Sequence, residues 1–428
     1  MAVSVAADLA LGPSDLATID ALLLSTDEIL TTQYPGDDGT RQPVHTVYVP
    51  ADSYAAVSEW GARAAQTVDD NGGMPALCTA LGVPEHLVDD VATRVTSKLS
   101  REPIEDLRLD FEDGYGDRGD AAEDADAAAA AIAVAAHVAA GTASPFIGIR
   151  FKCFEAATRA RGLRTLDIFV SGLIKAQGLP DGLVLTLPKV STVAQVLAMV
   201  YACEKLEAAH GLAPGRLRFE VQMETPQLIL AADGTVPVAQ LLHRANGRVS
   251  ALHYGTYDYS ASLGIAAEYQ SMEHPAADYA KQVMQVAVAG TGVRLSDGST
   301  NVIPVGDSDA VLSAWQLHAR LIRRSLHNGY YQGWDLHCAQ LPSRFIATYS
   351  FYREGYAAAA VRLKNYTAKT PSGTMDEPAT ARALAGFVVR GVSCGALTGD
   401  EVAADTGITI AELNTLAHPH KSKEQDLS

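Results

Sequence analysis

The chain contains no apolar run approaching the ~18 residues that a membrane span requires, and its opening stretch, MAVSVAADLALGPSDLA, lacks the basic start of a secretory signal. Its five cysteines (Cys78, Cys153, Cys203, Cys338 and Cys394) are scattered and odd in number, and none falls in a CxxC pair. That excludes a disulfide scaffold and a zinc ribbon, and the expectation is reduced thiols in a cytoplasmic protein. Basic charge is short: 33 Lys and Arg stand against 50 Asp and Glu, a formal net charge of -17. Phosphate binding needs a basic surface, so neither nucleic acid nor a membrane is expected as a partner. There is no Walker loop, which removes the usual sign of a P-loop nucleotide site. Aromatic residues make up only 7%, while 48% of the residues are hydrophobic, many of them alanines in long stretches. This composition suits many closely packed helices around a sizeable core.

What is present alternates. Short β-rich runs fall at His45–Val49, Leu107–Phe111, Phe146–Phe151, Leu183–Leu187, Leu217–Met223 and Val249–Tyr254, with two weaker ones at Asn301–Val305 and Trp334–His337. Helical patterns lie between them, for example Asp120–Ala140, Thr192–His210 and Ser308–Tyr331. Strands alternating with helices predict a parallel sheet covered by helices. Eight such units predict an α/β (β/α)8 TIM barrel, with a doubly wound open sheet as the competing topology. The stretch from Ala51 to Arg101 is long for one connection and reads as a helical insertion of two or three helices after strand 1. Thr291–Pro304 reads as a hairpin around Ser-Asp-Gly-Ser. The expected division is an N-terminal helical segment over 1–44, a barrel over 45–365, and a C-terminal helical extension and tail over 366–428. Within that last part, Pro378–Leu416 reads as helix and the final residues as disordered.

In a barrel of this kind, chemistry sits at the C-terminal ends of the strands. Those ends carry Pro50, Asp110/Glu112/Asp113, Arg150 with Lys152, Lys189, Glu224, Asp258 and His337. Any one of these is most simply a solvated rim residue, but charge at nearly every strand end is what a polar site requires. Glu224 and Asp258 lie 34 residues apart, about one strand-helix-strand unit, and close two neighbouring strands. Two such carboxylates are a natural seat for one hard divalent cation, Mg2+ or Mn2+, leaving room for a bidentate oxo acid. Glu112 and Asp113 are candidates to hold metal-bound waters and orient a basic partner. Arg150 offers a planar fork for a carboxylate or enolate oxygen. Gly255 allows close backbone approach just before Asp258, and Gly255 and Thr256 are candidates for substrate contact. Lys189 has two readings, a Schiff-base lysine of a metal-free aldolase or an ion-pair partner of Glu112 or Asp113, and the acids beside it favour the second. His337 and His253 read as structural.

The motifs LRLDFEDGYG, FIGIRF, LTLPKV, FEVQMETP, HYGTYDYSASLG and GWDLHCAQ occur in an order similar to that of the citrate lyase beta subunit, malyl-CoA lyase and class II oxo-acid aldolase superfamily. The resemblance runs over roughly residues 45–390. It implies a (β/α)8 barrel, a divalent metal on Glu224 and Asp258, a substrate-binding arginine at Arg150, and trimers or hexamers. The implied chemistry is reversible aldol or Claisen cleavage through an enolate, with a small oxo acid or CoA ester as substrate. Asp113 stands where the aldolases carry a histidine, and His337-Cys338 stands where His-Pro is usual. The stretch GTMDEP resembles the malyl-CoA lyase tail, one residue short, and makes Asp376 a candidate acid/base. The function expected from all this is a metal-dependent carbon–carbon lyase of the aldolase type. The alternatives are a malate synthase-like condensing enzyme and a non-catalytic barrel that binds oxo acids.

Overall fold

In a computed structural model, residues 10–369 and 377–418 are described. Eight strands form one sheet: β1 (His45–Pro50), β2 (Asp106–Asp110), β3 (Phe146–Arg150), β4 (Leu183–Leu187), β5 (Phe219–Met223), β6 (Val249–Tyr254), β7 (Arg294–Ser296) and β8 (Gly333–Asp335). Every strand pairs in parallel with its sequence neighbour from β1 to β7, and β1 also pairs in parallel with β8. A parallel bridge between Ser296 and Gln332 joins the remaining edge. The sheet is therefore a (β/α)8 barrel and not an open doubly wound sheet.

The helices are α1 (Pro13–Gln33), α2 (Trp60–Asp70), α3 (Met74–Ala80), α4 (Val88–Arg101), α5 (Asp120–Ala139), α6 (Arg159–Ala176), α7 (Val193–His210), α8 (Pro237–Arg244), α9 (Thr256–Ser262), α10 (Pro275–Val288), α11 (Ser308–His327), α12 (Leu341–Thr367), α13 (Pro378–Cys394), α14 (Gly399–Thr406) and α15 (Ile410–Ala417). The insertion after β1 holds α2, α3 and α4, preceded by a 3-10 stretch at Ala51–Glu59. The last three helices pack an apolar cluster of their own against α12, with Leu363, Val388, Val402 and Leu413 at its centre.

Alternation along the strands sorts the side chains into two layers. Leu107, Leu109, Ile147, Ile149, Leu185, Phe219 and Val221 are buried on the outer face, where the helices cover the sheet. The opposite face is polar. Arg108 of β2 donates to Glu220 of β5 through Nε and Nη2, both at 3.0 Å, and also pairs with Asp106. Tyr48 of β1 lies 3.4 Å from Glu220 and 3.3 Å from Gln222. These strands are not sheet neighbours, so the contacts cross the barrel interior. His253 of β6 accepts a hydrogen bond from Trp334 Nε1 (3.1 Å) and lies 2.9 Å from Glu220, which fits its expected structural role. A buried ion cluster of this kind is costly to desolvate and holds only when every member is paired.

Two expectations fail at the seventh strand. Thr291–Pro304 forms no hairpin; β7 occupies only Arg294–Ser296, and Asn301–Val305 is irregular, with Val302, Ile303 and Val305 exposed. Pro304 has no N–H to give a ladder, and a three-residue strand is too short to show a period of two. Strand β8 ends at Asp335, so His337 is not a strand-end residue. Its ring nitrogen instead accepts from Ala339 N (3.2 Å) at the start of a 3-10 turn. All five cysteines are buried and free. No helix among the described residues is long and apolar enough to cross a membrane.

Candidate active site

At the C-terminal mouth of the barrel, Glu224 directly follows β5 and Asp258 lies in the first turn of α9, just beyond β6. Glu224 is 2% exposed, and one of its oxygens accepts the backbone N–H of Lys189 at 3.0 Å. Its carboxyl is pushed up to about 7 by burial, with Asp258 and Glu112 adding to the rise and Arg150 opposing it. Asp258 is half-buried, and its side chain makes no hydrogen bond or ion pair among the described residues. Gly255 makes the arrangement possible: a β-carbon there would stand 2.2 Å from Glu224 Cγ and 2.9 Å from Oε1. The close approach expected at Gly255 is thus an approach to Glu224. The hydroxyl of Thr256 is engaged by the backbone of Ser299 (3.3 Å), so that residue fastens the loop after β7 to α9.

Lys189 ties the acids together. Its φ is +49°, a left-handed conformation that a residue with a side chain rarely adopts and that clusters at functional sites. In that conformation its N–H reaches Glu224, while its ammonium donates to Glu112 (2.6 Å) and to both oxygens of Asp113 (2.7 and 2.6 Å). Burial acts to lower the Lys189 pKa, but the bonds from both acids outweigh it and hold the amine well above its ordinary value. An amine so protonated is not a nucleophile, and the ion-pair reading is the one the geometry fits. Burial raises Glu112. Burial also works against ionised Asp113, but the bonds from Lys189 prevail and lower it.

Arg150 closes β3. Its Nε and Nη2 grip Asp110 in a fork, both at 2.7 Å, and its plane lies over the Tyr48 ring at 4.8 Å. Nη1 points to Gln222 (3.4 Å) and Glu112 (3.7 Å), so this is the edge left to meet a ligand. Lys152 faces the loop after β2, where it donates to the carbonyls of Phe111 and Gly116 and to Glu123. The structure therefore gathers Glu112, Asp113, Arg150, Lys189, Glu224, Gly255 and Asp258 around one mouth, with Thr256 beside it. Asp376 lies outside the described residues. Asp110, Gln222 and Tyr48 join the site without having been assigned a role in the sequence. The register that sets Asp110 opposite Arg150 is a tertiary fact, but Gln222 stands two residues before Glu224 and so shares its face of the strand.

Five carboxylates (Asp110, Glu112, Asp113, Glu224 and Asp258) here surround two cations, Arg150 and Lys189, and Arg150 and Lys189 are both already paired. Among the described residues no group of three His, Cys, Asp or Glu forms a metal cage by itself. Two carboxylates with space for water and substrate are instead the pattern of a Mg2+ site. A buried carboxyl as poorly compensated as Glu224, beside unpaired Asp258, fits such an ion. All the donors are oxygen, which suits a hard cation.

Fold and site together define a (β/α)8 barrel with an acid-rich mouth. The chain belongs to the DUF6986 family, described as a domain of unknown function, whose model matches residues 23–421. No curated protein matches it. Among solved structures, a citrate lyase from Burkholderia xenovorans LB400 is similar at a TM-score of 0.56 and 19% identity, over 86% of this chain and 97% of that one. A Haloferax volcanii malate synthase in complex with magnesium and glyoxylate aligns at a TM-score of 0.48 and 15% identity, covering 88% and 97%. The citrate lyase beta subunit from M. tuberculosis, complexed with oxaloacetate and magnesium, aligns at 0.41 and 16%, covering 75% and 99%. The first of these establishes a shared fold.

Proposed function

We propose that this protein is a divalent-metal-dependent carbon–carbon lyase of the aldolase type, acting on a hydroxy-oxo acid or a hydroxyacyl thioester. The observation that carries the reading is Glu224: a buried carboxyl raised to about 7, facing Asp258, with a single backbone N–H as its partner. Such a group is unfavourable unless it has work to do, and perturbed carboxyls in a barrel mouth mark functional sites. The fold shared with a citrate lyase is consistent with this reading.

A Mg2+ or Mn2+ ion held by Glu224 and Asp258 would supply a Lewis acid for an oxo-carboxylate. The chain's own residues do the rest. Nη1 of Arg150 meets the substrate oxygen on which negative charge develops, and its grip on Asp110 keeps the guanidinium fixed while that happens. Lys189 holds Glu112 and Asp113 in place and stays protonated. In the cleavage direction the hydroxyl proton passes to a base, the carbon–carbon bond breaks, and its electron pair forms the enolate facing Arg150. A new carbonyl is left on the other fragment. On the resemblance of GTMDEP to the malyl-CoA lyase tail, Asp376 or a water is the proposed acid/base.

The test is product release. With Mg2+ or Mn2+, a panel of hydroxy-oxo acids and hydroxyacyl thioesters is expected to yield an oxo acid or acyl product, and Glu224→Ala to abolish it. Turnover unchanged in Glu224→Ala would overturn the site. Consumption of acetyl-CoA with glyoxylate, without cleavage, would assign a condensing enzyme instead.

A further inference from the structure

Helix α1 is 21 residues long and buries none of them. Leu16, Ile19, Leu23 and Leu30 recur along it at spacings of three, four and seven residues, which places them on one face. Leu22, beside that stripe, is 73% exposed, and Leu16 is 56% exposed. A long helix with a solvated apolar stripe is a surface built to be covered. Its charges are all of one sign: Asp15, Asp20, Asp27 and Glu28, with no lysine or arginine.

The root of the helix is pinned. Tyr34 packs edge-on against His243 of α8, the N–H of Gly36 donates to the carbonyl of Gly290 (2.8 Å), and Arg294 holds the carbonyls of Thr40 and Arg41. Beyond that root α1 extends, at 1.5 Å per residue, about 30 Å without resting on its own barrel. It is an arm.

The outer wall of the barrel carries a matching surface. Between α6 and α7 lies a groove of about 540 Å³, with a mostly apolar lining that includes Phe154, Leu163, Leu166, Ala198, Tyr201 and Leu206. Tyr201 is 60% exposed there. Arg159 and Lys205 stand at the groove, and neither side chain makes an ion pair among the described residues; Lys205 lies over the Tyr201 ring. The acid in the groove, Asp167, is engaged by the hydroxyl of Ser171.

We propose that α1 is a docking arm whose apolar stripe occupies the α6/α7 groove of a second copy of this chain, with its acids meeting Arg159 and Lys205 there. Both halves of the contact are present on every copy, and the charges are complementary. A head-to-tail contact of this kind builds a ring of copies where its rotation closes and an open filament where it does not. The inference is independent of the proposed chemistry.

The full-length protein tests it through substitutions at exposed positions that leave the core untouched. Sedimentation is expected to give an assembly for the unaltered chain, and Leu23→Glu in the arm or Tyr201→Glu in the groove is expected to reduce it to single chains with an unchanged melting temperature. Mixing a Leu23→Cys protein with an Ala198→Cys protein is expected to give an interchain disulfide between the two variants. A single-chain mass for the unaltered protein would overturn the proposal, as would an assembly indifferent to both charge substitutions. So would a doubly substituted chain that cross-links only within itself, since the arm would then cover its own groove.

Discussion

Gly255 and Glu224 come so close that only a hydrogen fits between them: a β-carbon on Gly255 would lie 2.2 Å from Glu224 Cγ. The backbone of α9's first turn therefore fixes where the Glu224 carboxyl points. Gly255→Ala is expected to keep the barrel, because the displaced group is at the rim, yet to weaken Mn2+ binding at least tenfold by turning Glu224 away from Asp258. Calorimetric titration of Mn2+ into the variant checks this, and unchanged affinity would contradict the geometry.

Glu224 also makes stability depend on pH. Unfolded, a glutamate ionises near 4.5; folded, Glu224 keeps its proton up to about 7 because burial disfavours the charge. The folded state thus binds more protons, so metal-free stability falls as pH rises from about 4.5 to about 7 and stays reduced above. Glu224→Gln keeps the acceptor for Lys189 N–H and removes the titration. The expectation is a stabilised metal-free protein at pH 8, by up to roughly 3 kcal/mol, and little change near pH 4.5. Denaturant melts at the two pH values measure it.

Lys189 is held protonated by Glu112 and Asp113. Borohydride treatment in the presence of pyruvate should therefore leave the intact mass unchanged, whereas a reduced adduct on Lys189 would restore the Schiff-base reading. Lys189→Met should lower turnover while adding no stability, since Glu112 would lose its nearest cation.

The Arg108–Glu220 pair inside the barrel predicts a different response. Both side chains are fully buried, and Arg108 also carries Asp106. Glu220→Ala leaves Arg108 with Asp106 as its one remaining acid partner and is expected to cost about 3–5 kcal/mol, read from chemical denaturation. A loss below about 1 kcal/mol would mean that the network is not paired as described.

Much of this architecture was legible in the chain. Runs such as LVLTL and HTVYV mark strands because β-branched and apolar residues fit a sheet covered on its outer face. The acids Glu224, directly after β5, and Asp258, in the first turn of α9 just beyond β6, could be found by position, since a parallel barrel delivers its strand ends to one rim. What stayed hidden depended on tertiary pairing. Asp110 was visible as an acid but not as the clamp of Arg150, because that bond follows from the β2–β3 register. The polar interior around Arg108 and Glu220 reads in sequence as ordinary alternation, and only closure of the barrel shows that those side chains face one another across it. The seventh strand was misplaced because its three residues carry too little pattern to outweigh the apolar NVIPV that follows.

The central claim is that Glu224 and Asp258 together seat one divalent cation. The most direct measurement is Mn2+ binding to the full-length protein, followed by electron paramagnetic resonance, in the unaltered chain and in Glu224→Ala and Asp258→Asn. The account predicts a bound ion in the unaltered protein and loss of binding in each variant, with both variants still folded. Binding retained at full strength in both variants would contradict it.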